Sequence, residues 1–121
     1  MQDINSVTFT GRLTADPELR STGSGHSVSR LRVAIQRPTG KDGSDRGAAF
    51  YDVEVWNGLA ESCARFLGKG RRVAVEGRLE HQEWTAEDET PRQRNYVVAT
   101  QVNFLDPAPQ RAEEPEAPVA A

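Results

Sequence analysis

Alternation of apolar and polar residues at a period of two, broken every few residues by glycine, proline or charge, is what most constrains this chain. Five runs carry it and are rich in β-branched side chains: Ile4 to Leu13, Ser27 to Gln36, Phe50 to Trp56, Arg72 to Leu79 and Tyr96 to Phe104. In the first, Val7, Phe9 and Gly11 fall on one face while Thr8, Thr10 and Arg12 fall on the other. In the second, Arg30 and Arg32 oppose Leu31, Val33 and Ile35. Each run therefore predicts a strand with one buried and one wet face.

A single segment breaks that period. Leu59, Cys63, Phe66 and Leu67 recur at helical spacing after Asn57-Gly58, and the glycines of Gly68-Lys69-Gly70 end the run. Five strands with one short α-helix between the third and fourth predict an all-β fold, the five-stranded OB-fold Greek-key barrel, with an SH3-like barrel as the competitor on pattern alone. Two polar, glycine- or proline-bearing stretches then read as long loops, Arg37 to Ala49 and Thr85 to Asn95. Loops of that size are where barrels often grip ligands.

At 121 residues the chain has room for one domain, expected over residues 1–106. From Pro107 to Ala121 it is mostly Pro, Ala and Glu without aromatics, which predicts a disordered acidic tail. No export signal or apolar membrane span is apparent, so a cytoplasmic protein without membrane attachment is expected. The one cysteine, Cys63, can form no internal disulfide and reads as a small buried apolar residue. Net charge is −3, which by itself argues against a polyanionic partner. A near-neutral domain can nonetheless carry a positive stripe.

Unpaired nucleic acid exposes base faces as well as phosphates, so binding it calls for flat aromatics interleaved with cations. Trp84 stands in a polar setting, HQEWTAED, with no periodic apolar neighbours to bury it. Phe50 and Trp56 lie six residues apart, hence on one strand face, with Asp52 and Glu54 between them. Filling the barrel is the competing role for such rings. Phe9, Phe66 and Phe104 lie among apolar neighbours and are expected in the core. Candidate phosphate contacts are Arg12, Arg30 and Arg32 on the strands, Arg37 with Lys41 entering the first loop, Lys69, Arg71 and Arg72 after the helix, and Arg92 and Arg94 in the second loop.

Catalysis finds little support. There is no Gly-x-Ser-x-Gly elbow, no phosphate-cradling glycine loop ending in Lys-Ser or Lys-Thr, and no His/Cys group with zinc spacing. The carboxylates of Asp42 and Asp45, and of Glu87, Asp88 and Glu89, sit in polar loops without apolar shielding to raise a pKa. No enzyme activity, metal or cofactor is expected.

The strings NSVTFTGRLTADPELR, VSRLRVAI and FYDVEVWNGLAESCARFLGKGRRVAVEGRLEHQEWT, in that order, resemble the bacterial single-stranded DNA-binding protein family over residues 4–104. The resemblance implies an OB-fold homotetramer, a nucleoid-associated protein that binds single-stranded DNA against aromatics matching Phe50, Trp56 and Trp84, in replication, recombination and repair. It adds Arg20 to the cations and supports Lys69, with Arg72 close by. Two departures stand out: an aromatic of the family's first long loop is missing near Thr39, and the basic residues usual before the last tryptophan are Gln82 and Glu83. The family's usual acidic, apolar-tipped terminus is also replaced by Pro118-Val119-Ala120-Ala121, so docking of replication or repair proteins through the tail is not expected. An OB module of primosomal or RNA-binding type, and a protein-interaction domain, are the rival readings.

Overall fold

The computed structural model describes residues 1–105; the tail from Pro107 and the domain boundary expected at 106 lie outside the described residues. In chain order the elements are β1 (Val7–Leu13), β2 (Leu19–Ser21), β3 (Ser27–Gln36), β4 (Ala48–Trp56), α1 (Asn57–Phe66), β5 (Arg72–Thr85) and β6 (Pro91–Phe104). They form one sheet in the order β1-β5-β6-β4-β3-β2, and the end of β1 also pairs with β3. That second pairing, Arg12 with Ala34 and Leu13 with Val33, closes five strands into a barrel. All pairings are antiparallel except β4 with β6, where Val53 faces Val97 in parallel. This is the connectivity of an OB barrel, with the helix between the third and fourth barrel strands as expected. The three-residue β2 is an addition to the edge of β3 that the sequence pattern did not reveal.

The inward side chains of all five barrel strands meet in one core. Leu13, Leu31, Val33, Val53, Val55, Val73, Val75, Val97, Ala99 and Val102 come from the strands, and Ala60, Cys63 and Leu67 from the helix and its exit. Burial raises the Cys63 thiol pKa to about 11, so the side chain behaves as an apolar group. Phe9 and Phe104 pack at the margin of this core. Phe66, expected inside, is exposed. It sits one position from Leu67, which takes the buried place at the helix exit, and its ring rests at 6.5 Å from that of Phe104 while Arg65 lies over it.

Two glycines are required by close approach. A Cβ on Gly11 would stand 2.5 Å from the Ala34 carbonyl oxygen, at the seam where β1 crosses onto β3. A Cβ on Gly77 would collide with the Val98 carbonyl at a register shift between Glu76 and Gly77. The extra residue is Thr100 of β6, unpaired between Gln101 and Ala99, and the bulge bends β6 where β5 and β6 continue past the barrel as a two-stranded arm.

The arm corrects the reading of Thr85 to Asn95 as a long loop. Pairing runs unbroken from Leu79–Val97 through Trp84–Arg92 to Thr85–Pro91, so only residues 86–90 form the turn. Its two faces are both wet, and the alternation by which strands are recognised is therefore absent. The other long loop is shorter by two residues, because β4 begins at Ala48. Arg37 donates its backbone N–H to Gly47 at the loop base, and Gly43 and Gly47 adopt left-handed conformations.

Candidate nucleic-acid interface

Strand β4 passes into α1 without a loop. Trp56 is still extended, while Asn57 takes a left-handed conformation (φ 55°) that asparagine tolerates better than most residues. The turn leaves the Trp56 side chain on the outer face of β4. With a period of two, Glu54, Asp52 and Phe50 share that face, and their partners across β3 are Arg30, Arg32 and Ala34. The two rings are separated by about 20 Å of strand at ~3.3 Å per residue. Trp56 is 38% and Phe50 51% exposed, in contrast to the fully buried Val53 and Val55 between them.

The same face continues onto the arm. Arg94 on β6 reaches back to β4: its Nη2 donates to Glu54 Oε2 at 3.3 Å and its Nη1 lies 3.9 Å from Asp52 Oδ2. Its Nε donates to Gln82 Oε1 at 2.9 Å on β5, and its guanidinium covers the Tyr96 ring at 4.2 Å. Trp84, two residues beyond Gln82 and opposite Arg92, is therefore on this face as well, 43% exposed near the tip of the arm. An open pocket there of about 540 Å³ is lined by Trp84, Arg92 and their neighbours.

A second groove, of about 470 Å³, runs beside Trp56. Arg30, Arg32, Asp52 and Glu54 form its floor, and Asp16, Glu18 and Arg20 one wall. Its cations are not bare. Arg32 Nη1 donates to Asp52 Oδ1 at 3.2 Å and lays its guanidinium 5.2 Å from the Phe50 ring centre. Arg30 reaches Glu54 at 3.5 Å, the outer limit of a hydrogen bond, and Arg20 pairs with Glu18 at 3.2 Å. With Arg94 behind them, three guanidiniums meet the two floor carboxylates, while Asp16 and Glu18 against Arg20 on the wall bring the groove back to balance.

The other expected cations lie around the barrel. Arg12 and Arg72 are paired across β1 and β5, and Arg12 Nη1 donates to the Gly70 carbonyl at 2.9 Å. Across β3, Arg12 is level with Ala34 and so with Phe50, two strands away. Lys69 is exposed on the turn after the helix, its backbone N–H held by Asp16 Oδ1 at 2.8 Å, which brings it to the groove's end. Arg37 is exposed at the base of the β3–β4 loop. Trp56, Arg20, Arg30 and Arg32 are brought together around one groove, with Phe50 joined to it only through Arg32; Trp84 and Arg92 line the next, and Arg94 is the clamp between them. Tyr96 was missed because its stretch was read as a strand only from that residue onward; the alternation Arg92, Arg94, Tyr96 becomes visible once the arm is seen to be paired. The solvated carboxylates read in the loops are so placed: Asp42 and Asp88 have pKa values below the usual range because each accepts hydrogen bonds, from Ser44 and Thr90 respectively.

Among the described residues no helix is long and apolar enough to cross a membrane. The comparisons with known proteins agree with the barrel. A single-stranded DNA-binding protein of Clostridium tetani is 40% identical over 104 residues, covering 85% of this chain and 71% of that protein. Single-stranded DNA-binding protein 3 of Clostridium acetobutylicum is 38% identical over 104 residues, covering 85% and 72%. A single-stranded DNA-binding protein of Treponema pallidum is 38% identical over 107 residues, covering 87% and 60%. Residues 4–105, nearly the whole described chain, match the model of the single-strand binding protein family, and the chain belongs to that family.

Proposed function

We propose that this protein binds and protects single-stranded DNA without reading its sequence, in DNA replication, recombination and repair. Bases stack on Trp56, Trp84 and Phe50 while Arg20, Arg30, Arg32, Arg92, Arg12, Lys69, Arg72 and Arg37 accompany the phosphates. The observation that carries this is three exposed rings on one continuous sheet face with guanidiniums beside them. Rings without apolar cover suit ligands that present flat faces, and every base has one. The names of the relatives at 35–40% identity point the same way.

The working form is a homotetramer in the cytoplasm, associated with the nucleoid. Its support in the fold is β1, whose residues Val7 to Thr10 pair with β5 on one side, while the β3 pairings begin only at Arg12. A strand edge left open in that way invites another copy.

The direct test is titration with oligothymidine at low salt while the indole fluorescence is followed. Stacking on Trp56 and Trp84 quenches it; binding without quenching would rule the stacking arrangement out, and no binding at all would rule out the function.

A further inference from the structure

The open face carries carboxylates where a polyanion-binding surface has no use for them. Asp52 and Glu54 stand between Phe50 and Trp56 on β4, in the path of any strand running from one ring to the other. Both are committed to the cations of the face: Asp52 to Arg32 and Arg94, Glu54 to Arg30 and Arg94. The Glu54 side chain is only 13% exposed, so it cannot turn away into water when a phosphate arrives.

A phosphate that takes Arg30 or Arg32 must therefore displace a carboxylate already serving as its counterion. One ion pair is exchanged for another, few counterions are released to drive the exchange, and a like charge remains beside the newcomer. Duplex DNA offers this face phosphates and little else, because its bases are stacked inside the helix. An unpaired strand gains base stacking as well, a contribution that does not depend on charge. Selectivity is a difference between two affinities, and it grows when the unwanted ligand is opposed.

We propose that Asp52 and Glu54 are specificity determinants: by holding the arginines of the open face in ion pairs, they deny it to phosphates alone, so that a polyanion is retained only when it also offers unpaired bases to Phe50, Trp56 and Trp84. The inference rests on the single-strand reading above and deepens it.

The test compares an oligothymidine with a blunt duplex of equal length by fluorescence anisotropy, from about 50 to about 200 mM salt, using the full chain, Asp52→Asn, and Asp52→Asn/Glu54→Gln. These substitutions keep shape and hydrogen-bonding capacity while removing charge. In the double variant duplex affinity rises on the order of tenfold or more, because a like-charge opposition is gone. The logarithmic salt slope for duplex steepens by about 0.9 for each phosphate newly engaged, and oligothymidine affinity rises by a smaller factor. A merely structural role for the carboxylates moves melting temperature but leaves the ratio of duplex to single-strand affinity and the salt slope where they were, and that result overturns the proposal. Should the double variant fail to fold, Asp52→Asn carries the same test, since Glu54 still anchors Arg94 and Arg30. Failure of the unaltered protein to bind oligothymidine would strike the underlying function instead; binding with an unchanged ratio in the variants strikes only this inference.

Discussion

Arg92 and Arg94 lie on the same strand face two residues apart, yet their surroundings separate their roles. Arg92 is exposed beside Trp84, whereas the Arg94 side chain is only 21% exposed and ties β4, β5 and β6 together through Glu54, Gln82 and Tyr96. Arg92→Ala is expected to leave the melting temperature unchanged, weaken oligothymidine binding and flatten its logarithmic salt slope by about 0.7, the value for one phosphate contact to a single strand. Arg94→Ala strands the mostly buried Glu54 with only a 3.5 Å contact to Arg30, and loss of such a partner costs roughly 1–3 kcal/mol. Chemical denaturation of the two variants side by side separates the cases. Among the rings, Trp84→Ala removes a stacking surface and is expected to weaken oligothymidine binding by roughly tenfold or more, on the general scale of ~1–3 kcal/mol per base stacked on an aromatic, a scale established for this mode of binding rather than derived from this chain. Fluorescence titration of the remaining tryptophan measures it.

Elements, more than residues, decide where sequence patterns are readable. The barrel strands and the helix were legible because each has one face in the core, so that Leu31, Val33, Val53 and Val55 alternate with charged partners. The arm was not, because His81, Gln82, Glu83, Gln93 and Asn95 face water on both sides and no alternation is imposed on them. The three residues of β2 are exposed and too few to show a period. Phe66 misled for the opposite reason, since an aromatic at helical spacing looks interior whichever of two neighbours the core accepts. Trp84 was legible because nothing apolar surrounds it in sequence, and Phe50 and Trp56 because Asp52 and Glu54 share their strand face, but the clamp around Arg94 required tertiary contacts among three strands. The arm also has its own pH response. His81 has its pKa raised, first by a hydrogen bond to Asn95 across the arm and then by Glu83. A raised folded-state pKa stabilises the fold below the unfolded value, near 6.5, and that contribution is lost as pH rises through the folded pKa. The melting temperature of the protein should therefore exceed that of His81→Gln by most below pH 6.5, and the difference should vanish at alkaline pH. At the seam, Gly11→Ala would drive its Cβ into the Ala34 carbonyl and is expected to destabilise by roughly 1–3 kcal/mol, measured by urea denaturation.

At the scale of the whole molecule a net charge of −3 is compatible with a DNA-binding face because charge is sorted by place rather than by sum. The sorted face is small, however. An OB barrel engages about 4–16 nucleotides, and here two grooves share that length with carboxylates between them. Affinity beyond what one face supplies has to come from several faces on one strand, which a second copy docked along the open edge of β1 would provide. Light scattering should then give at least twice the 13.3 kDa of the chain, and near four times it for the proposed homotetramer. Oligothymidines of graded length test the functional consequence. Below about 16 nucleotides one barrel suffices, and affinity should climb gently as contacts are added. Once a strand reaches a second barrel the next engagement becomes intramolecular, so apparent affinity should rise by about 10²-fold or more with no new kind of contact. Thr8→Lys, an added charge at an exposed position of this edge strand, is the probe. It is expected to lower the mass and abolish the second rise while leaving the affinity for the shortest strands intact. A protein that stays a monomer yet shows the second rise would require one barrel to bind longer DNA than its two grooves can hold.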